Sequence, residues 1–392
     1  MSRRRDFDVV VVGGGVVGAA CALALADLGL EAVLVEAAAP APWSRERPDL
    51  RVYAFAADNA ALLDALGAWR PVIDARAQPY RRMRVWDAAG GGELAIDADT
   101  LGRRELGWIV EHGLLLDRLW ARLGSAGVQL RCPARVEALE DDGERVRLRL
   151  DDGSQVQARV AIAADGAGST LRRLAGIEVD VHEHGQRGIV GFVATGRAHE
   201  DTAWQRFLPG GPLAFLPFAD GSSSIVWSLP EAEAARVLAL DDAAFGRELG
   251  RAFDLRLGEV RPLSPRAAFP LRRQLARDYA RGRVLVLGDA AHVVHPLAGQ
   301  GVNLGLRDVA GLRAAVQSAQ GSQGDWSTPA RLARWARTRR SEDTLAAHAF
   351  SAIDRLFRSE NPAAVLLRGP MLGLAGRMPP LSRALWRKAA GA

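Results

Sequence analysis

The order of apolar and polar positions at the amino terminus predicts a β-strand, a tight turn, a helix and a second strand. Residues 9–12 are all valine, the pattern of a strand that is buried on both faces. Residues 19–28 are rich in alanine and leucine and predict a helix, and the apolar residues 32–35 predict the second strand. This order of elements is a βαβ unit, which belongs to a parallel sheet.

Three glycines and one acidic residue in this unit point to a dinucleotide. Gly13, Gly15 and Gly18 form the pattern GxGxxG between the strand and the helix. The first glycine permits a tight turn, the second lets the backbone approach a pyrophosphate, and the third lets the helix pack closely on the strand. Glu36 closes the second strand, where a carboxylate can accept hydrogen bonds from a ribose diol. The motif predicts a bound dinucleotide and leaves NAD and FAD both open.

Two segments further along the chain favour FAD. One apolar run is followed by Asp165-Gly166, and another is followed by Gly288-Asp289. A carboxylate at the end of a buried strand can hold a ribose or ribityl hydroxyl. A glycine-rich helix start, here residues 299–303, can meet the electron-rich edge of a flavin with backbone N–H groups.

The remaining hydrophobic patterns predict a second sheet and a helical carboxyl terminus. Short segments alternate apolar and polar residues between turns, which is typical of a mostly antiparallel sheet. We therefore predict an α/β fold with a discontinuous Rossmann-like FAD-binding domain, an inserted substrate-binding β-sheet domain and a C-terminal helical segment. The predicted bounds are 1–75, 100–175 and 275–330 for the FAD-binding domain, 76–99 and 180–272 for the substrate-binding domain, and 331–392 for the helical segment.

Composition narrows the function classes. The chain has 392 residues, of which 48% are hydrophobic and 25% charged, so it can bury a substantial core. The formal net charge is +5, and Lys388 is the only lysine among the 51 basic residues. Lysine chemistry at an interior site, such as a Schiff base or a phosphate-binding P-loop, is therefore excluded. Because no basic run carries interleaved aromatic residues, we expect no nucleic-acid partner.

The two cysteines and the hydropathy of the chain argue against further classes of protein. Cys21 and Cys132 form neither a CxxC pair nor a metal-binding cluster, so we expect no metal site and no disulfide scaffold. The amino terminus does not resemble a signal peptide, and no stretch of about 20 uncharged apolar residues occurs. These features predict a cytoplasmic protein. Residues 367–386 mix apolar residues with arginine, a pattern typical of a helix that docks on its own domain or on a partner protein, and also of one that lies on an anionic inner membrane. Both interpretations stay open, and peripheral membrane contact is the hypothesis that we test.

Several motifs resemble those of the flavin-dependent aromatic hydroxylases related to para-hydroxybenzoate hydroxylase. Within that superfamily, the sequence looks like the branch of monooxygenases that act in ubiquinone biosynthesis. The resemblance covers nearly the whole chain. Its most specific segments are Asp49-Leu50-Arg51-Val52 and residues 79–87, 106–111, 214–217, 224–228 and 288–308.

The resemblance implies an activity. FAD would be the cofactor, NAD(P)H a transient reductant, and O2 and a polyprenyl phenol the substrates, with the ring hydroxylated through a flavin 4a-hydroperoxide. Other proteins of ubiquinone biosynthesis are implied as partners. Residues 224–230 and Asn361-Pro362 favour the enzymes that act at the 5-position of the ring. The 6-position enzymes share residues 79–82, so both positions stay open.

The resemblance also assigns site residues. It places the oxygen chemistry on the flavin and requires no catalytic side chain, although His295 is a candidate for moving a proton. The implied substrate-binding residues are Phe215, Pro217 and Trp227. The implied cofactor-binding residues are Gly13, Gly15, Gly18, Glu36, Arg51, His112, Val136, Asp165, Asp289, Gly299, Gln300, Gly301, Val302 and Asn303.

The sequence departs from the branch at the cofactor site. Tyr53 and Phe55 replace the usual serine and isoleucine after Arg51, and His112 replaces the usual asparagine after Glu111. The alternative functions are hydroxylation of a soluble aromatic and a noncatalytic FAD-bound scaffold in a quinone-biosynthesis complex. A flavin-dependent halogenase is disfavoured, because that branch uses an active-site lysine.

Overall fold

The computed structural model describes residues 6–89, 92–294, 300–358 and 368, apart from the side chains of Gln300 and Asp354. The strands within these residues are β1 Asp6–Val12, β2 Ala32–Val35, β3 Val52–Phe55, β4 Gln78–Tyr80, β5 Arg82–Asp87, β6 Glu93–Asp97, β7 Gly107–Glu111, β8 Gln129–Arg131, β9 Val136–Asp141, β10 Val146–Leu150, β11 Gln155–Ala163, β12 Val179–Thr195, β13 Thr202–Leu208, β14 Gly211–Pro217, β15 Ser223–Pro230, β16 Val260–Pro262, β17 Ala267–Ala276, β18 Ala280–Arg281, β19 Val284–Val286 and β20 His292–Val293. The α-helices are α1 Val16–Ala26, α2 Ala57–Ala65, α3 Trp69–Arg76, α4 His112–Leu123, α5 Thr170–Leu174, α6 Glu231–Leu238, α7 Asp242–Ala252, α8 Gln300–Gly321 and α9 Pro329–Arg358.

The predicted βαβ unit forms the centre of an eight-stranded sheet. Its strand order is β18-β19-β11-β1-β2-β8, and β9 and β10 extend it from β11. Strand β1 pairs in parallel with both neighbours, Val10 lying opposite Ala161 on β11 and Val33 on β2. Helix α1 is buried along almost its whole length, which suits its alanine-rich sequence. Because the central strands are parallel, their carboxyl ends meet at one edge.

The second large sheet has nine strands and is mostly antiparallel, as predicted. Its order is β20-β17-β12-β15-β14-β13-β5-β6, with β16 paired to β12. The exception is β5, which pairs in parallel with β13. Helices α6 and α7 cover one face of this sheet, where Phe215 packs against Phe253 with ring centroids 4.0 Å apart. The opposite face looks toward the parallel sheet.

Strands β3, β7 and β4 form a third, smaller sheet in the order β3-β7-β4. Val52 pairs with Glu111 across β3 and β7. The backbone N–H of His112 donates to the carbonyl oxygen of Arg51 at 3.0 Å. This pairing holds Arg51 and His112 side by side, although 60 residues of chain separate them.

Helix α9 returns across the molecule and packs on the second sheet. The ring of Phe357 stacks on Phe207 of β13 with centroids 3.9 Å apart. Arg368 donates to Asp87 of β5 at 2.7 Å in a buried ion pair. The rest of the predicted C-terminal helical segment lies outside the described residues. No helix in the described part of the chain combines the length and the apolar character needed to cross a bilayer.

Candidate flavin and substrate site

A cavity of about 860 Å³ opens between the two large sheets. At one end it is lined by Val12, Val35 and Ala164, at or just beyond the carboxyl ends of β1, β2 and β11. Ligands of open parallel sheets bind at this edge. At the other end, it is lined by side chains of β12, β13, β14, β15 and β17.

The three motif glycines have distinct geometries. Gly13 has a φ of 105°, and a Cβ atom there would lie 2.4 Å from the carbonyl oxygen of Ala164. A Cβ atom at Gly18 would lie 1.9 Å from the carbonyl oxygen of Gly13, so this glycine brings the helix close to the strand. A Cβ atom at Gly15 would meet nothing within 4 Å, because Gly15 faces the cavity. Gly15 also starts α1 with no side-chain cap, which leaves the backbone N–H groups of the helix start for a ligand.

Three predicted carboxylates line the cavity: Glu36, Asp165 and Asp289. Glu36 accepts the backbone N–H of Gly14 and so holds the glycine turn. Asp165 accepts the backbone N–H of Thr170 at 2.7 Å at the start of α5. Asp289 is accessible within the cavity, and the protein that surrounds the cavity desolvates its carboxyl and raises its pKa, against the opposing charges of His292 and Arg272. Glu36 and Asp165 therefore hold their turns by hydrogen bonds, and all three carboxylates face the cavity.

Arg51 and His112 meet at the cavity wall beside Tyr53. Arg51 forms an ion pair with Asp49 at 3.1 Å. Tyr53 Oη lies 2.6 Å from His112 Nδ1. Burial, assisted by the charge of Arg51, lowers the pKa of His112 to about 4, so the imidazole is neutral near pH 7. The Tyr53–His112 pair is a consequence of the two departures from the family pattern, and sequence reasoning did not link them.

The loop predicted beside the flavin is placed in part. Gly301 and Val302 line the cavity at the start of α8. Gly299, His295 and the side chain of Gln300 lie outside the described residues. Val136 also lines the cavity, beside Arg135.

Asn303 occupies a different place from the one expected. Its side chain is buried between α8 and the segment that joins β3 to α2. The amide donates to the carbonyl oxygen of Ala54 at 2.8 Å and accepts from Asn59 at 2.8 Å. Gly18 likewise contacts Gly13 rather than the cavity. Asn303 thus ties the helix to its neighbours instead of lining the cavity.

The three predicted substrate-binding residues require a correction. Phe215 and Trp227 lie in the apolar cluster under α6 and α7, on the face of the sheet away from the cavity. Pro217 follows Phe215 by two residues on the same strand, so it shares that face. The residues of β14 that line the cavity are Pro212, Ala214 and Leu216. The large aromatic side chains face the helices because α6 and α7 need an apolar layer to pack against.

A row of side chains that the sequence did not single out forms the cavity wall. Gln205 pairs with Ala214, Ala214 with Val226, and Val226 with Val190, across four adjacent strands. All four line the cavity. The amphipathic helices α6 and α7, directly after β15 in the sequence, were the available signal that the aromatic face of these strands would be covered.

The residues at the parallel-sheet end fit FAD. The open space at Gly15 and the uncapped start of α1 suit a pyrophosphate, and Glu36 ends β2 where a ribose would lie. The cavity continues past Asp165 and Asp289 to the second sheet, so it has the length for a flavin beyond the adenosine half. These contacts with FAD remain predictions for each residue.

Comparisons with known proteins agree with this geometry. Ubiquinone hydroxylase UbiL of Rhodospirillum rubrum is 38% identical over 386 residues, which cover 98% of this chain and 89% of that protein. The 3-demethoxyubiquinol 3-hydroxylase of Escherichia coli is 35% identical over 386 residues, 98% of each chain. The crystal structure of p-nitrophenol 4-monooxygenase PnpA from Pseudomonas putida has a TM-score of 0.78 at 21% identity, over 97% of both chains, and supports the fold.

The fold and the cavity define a flavin-dependent monooxygenase, with FAD as the cofactor and NAD(P)H as the reductant typical of the class. A family model described as FAD binding domain matches residues 6–339, and the chain belongs to that family. The resemblance to the hydroxylases of ubiquinone biosynthesis, and the prediction of an enzyme, are confirmed.

Proposed function

We propose that this enzyme hydroxylates the aromatic ring of a polyprenyl phenol in ubiquinone biosynthesis, using NAD(P)H and O2. Relatives that match almost the whole chain are named for hydroxylation of ubiquinone or demethoxyubiquinol. The proposal covers attack at the 5-position, favoured by residues 224–230, or at the 6-position.

The choice of substrate rests on one observation. The part of the cavity wall that the nine-stranded sheet forms, here called the sheet wall, is uncharged. Its side chains within the described residues come from Val190, Gln205, Pro212, Ala214, Leu216, Val226, Ser228 and Phe269. An aromatic acid would bury its carboxylate against this wall without a cation, at a cost of several kcal/mol. A neutral phenol with an apolar tail has no such cost. The charged lining residues of the described structure all lie at the cofactor end, together with the neutral His112: Glu36, Arg51, Arg135, Asp165 and Asp289.

The residues that line the cavity have different proposed roles, according to their position in it. FAD, when bound, supplies the activation of dioxygen that ring hydroxylation requires. Gly15 and the start of α1 would bind the pyrophosphate, and Asp165 and Asp289 would orient the cofactor through its hydroxyl groups. The aliphatic wall of Val190, Ala214 and Val226 would exclude water from the reacting ring.

Quinone analysis tests the function. Cells that lack their own ubiquinone hydroxylases, complemented with this chain, should regain ubiquinone, as measured by mass spectrometry of extracted quinones. The intermediate that disappears identifies the ring position. An unchanged quinone profile, from cells in which the protein is produced with FAD bound, would overturn the proposal in favour of a soluble aromatic substrate.

We further propose peripheral contact with an anionic membrane, in which a polyprenyl phenol would be dissolved. Helix α9 exposes Leu345, Ile353 and Leu356 by 60%, 40% and 36% of their surfaces. At 3.6 residues per turn these side chains lie within about 80° of one another. Arg334 and Arg355 are exposed on the same helix within about 80° of Leu345, and the chain carries a net charge of +5. Glu342 is exposed on the same side, and it is paired with Arg339. An apolar stripe with basic neighbours suits an anionic lipid surface.

A further inference from the structure

The uncharged wall of the cavity carries two polar side chains, Ser228 of β15 and Gln205 of β13. Neither has a role in the fold that the structure shows. They are surrounded by aliphatic neighbours, so any polar group of a ligand at this wall has only these two side chains to meet in the described part of the sheet.

Ser228 is 1% exposed, and it lines the cavity. Among the described residues, its hydroxyl has no hydrogen-bond partner. Because the hydroxyl reaches the cavity, a ligand group there can take the place of water as its partner, a contact worth about 0.5–1.5 kcal/mol. The hydroxyl both donates and accepts, so it suits a phenolic hydroxyl or an ether oxygen.

Gln205 stands at the other side of the same wall. Its strand is separated from β15 by β14, and the pairing through Ala214 leads to Val226, two residues before Ser228. The two α-carbons are therefore about 10 Å apart across the strands and about 7 Å apart along them. A glutamine side chain spans part of this distance, which leaves room for one substituted ring. The side-chain amide of Gln205 likewise has no partner in the described structure and offers a donor and an acceptor.

Phe269 adds a flat aromatic surface next to Ser228. Gly188 pairs with Ser228 on one side and with Phe269 on the other. A Cβ atom at Gly188 would lie 3.0 Å from Phe269 Cζ, so the missing side chain makes room for the phenylalanine ring. Phe269 lines the cavity, and 36% of its surface is accessible. An aromatic ligand can pack against this face while its oxygen substituents reach the polar side chains.

We infer that Ser228 and Gln205 recognise the oxygen substituents of a neutral aromatic ring held against Phe269. This inference rests on the proposed function and extends it to the residues that select the substrate. The ring binds as the uncharged phenol, since both contacts are neutral. Both residues are substrate contacts and leave the cofactor half untouched.

Ligand binding to the FAD-loaded enzyme tests the inference without turnover. The probe is a phenol with a two-isoprene tail, compared with the same compound lacking the hydroxyl, and binding is followed by the change in flavin absorbance. Wild type should prefer the phenol, and Ser228→Ala or Gln205→Leu should bind it about 5- to 10-fold more weakly. The preference for the hydroxyl should shrink in at least one of these variants, and Ser228→Thr should restore part of it.

Ser223→Ala is the matched control. Ser223 lies on the same strand, is fully buried, and has a hydroxyl without a partner among the described residues, but it is five positions from Ser228 and faces the opposite side of the sheet. It should bind the probe as wild type does. FAD content and the unfolding temperature of every variant establish that it is folded.

The outcomes separate the two proposals. If wild type binds the phenol and both variants bind it equally well, the assignment of Ser228 and Gln205 is overturned while the proposed function stands. If wild type binds 4-hydroxybenzoate and neither prenylated compound, the proposed function fails, and the inference fails with it.

Discussion

His292 and Asp308 form a fully buried contact of 2.7 Å between His292 Nε2 and Asp308 Oδ2. The same carboxylate oxygen accepts the backbone N–H of Gly288 at 3.0 Å, and its other oxygen accepts from Arg339 at 2.8 Å. Gly288 precedes Asp289, which faces the cofactor end of the cavity. A buried ion pair thus holds the turn that presents Asp289.

The charge of His292 predicts a loss of stability in alkali. Burial by itself would lower the pKa of His292, but the neighbouring carboxylates, Asp308 foremost, outweigh it and raise the pKa to about 9. A raised pKa stabilises the fold below the unfolded value of about 6.5, and the contribution disappears as pH rises through 9. Urea unfolding of wild type between pH 6 and pH 10 should show a loss of about 3 kcal/mol.

The variant His292→Gln provides the comparison for that profile. It should be less stable than wild type at pH 6 and should lack most of the decline toward pH 9. Parallel profiles for the two proteins would mean that another group causes the alkaline loss.

Removing the negative charge of Asp308 should lower both the stability of the fold and the affinity for FAD. Asp308→Asn leaves His292 and Arg339 without their shared carboxylate, and breaking such a buried pair costs about 3–5 kcal/mol. FAD affinity, measured by flavin fluorescence, should fall as well, because the Gly288–Asp289 turn loses its anchor. Asp74→Asn is the control, since its ion pair with Arg70 is exposed and should contribute less than about 1 kcal/mol. Full FAD affinity in a destabilised Asp308→Asn protein would refute the link to the turn.

The two glycines Gly15 and Gly18 predict opposite results for the same substitution. In Gly15→Ala the new methyl group meets no protein atom, so the apoprotein should keep its stability within about 0.5 kcal/mol. FAD should bind roughly tenfold more weakly or worse, because the methyl group enters the space for the pyrophosphate. In Gly18→Ala the methyl group meets the backbone of Gly13, so the apoprotein itself should lose about 2–3 kcal/mol. Unfolding of the apoproteins and FAD titration measure both effects, and unchanged FAD affinity in Gly15→Ala would contradict the assignment of the pyrophosphate.

The exposed stripe of α9 predicts membrane binding. Leu345→Glu with Ile353→Glu removes two apolar contacts and adds two charges that anionic lipids repel, so flotation with anionic vesicles should fall about tenfold or more. Leu255→Glu, at an exposed apolar residue just after α7, is the control and should float as wild type does. Equal flotation of all three proteins would exclude α9 as the contact.

Much of the cofactor end could be predicted from sequence, since its determinants are local. The GxGxxG turn requires a positive φ at Gly13 and close contact between Gly18 and the backbone of Gly13. Only glycine meets both requirements, so they can be recognised in the sequence as glycines at a fixed spacing. Helix α1 begins at Val16, three residues before the predicted start, because the glycine turn itself becomes the first helical turn. Asn303 could not be placed this way, because its partners at Ala54 and Asn59 lie far away in the chain.

The sequence by itself determined the class of fold, the cofactor and the order of the elements, because strand and helix periods and glycine spacing are short-range properties. The tertiary structure decided which face of β14 and β15 forms the substrate wall. An alternating strand has two faces, and only the packing of α6 and α7 on Phe215 and Trp227 assigned the other one to the cavity. The tertiary structure also decided that His292 of β20 and Asp308 of α8 meet, because a buried charge needs a partner and the fold supplies one from a different element.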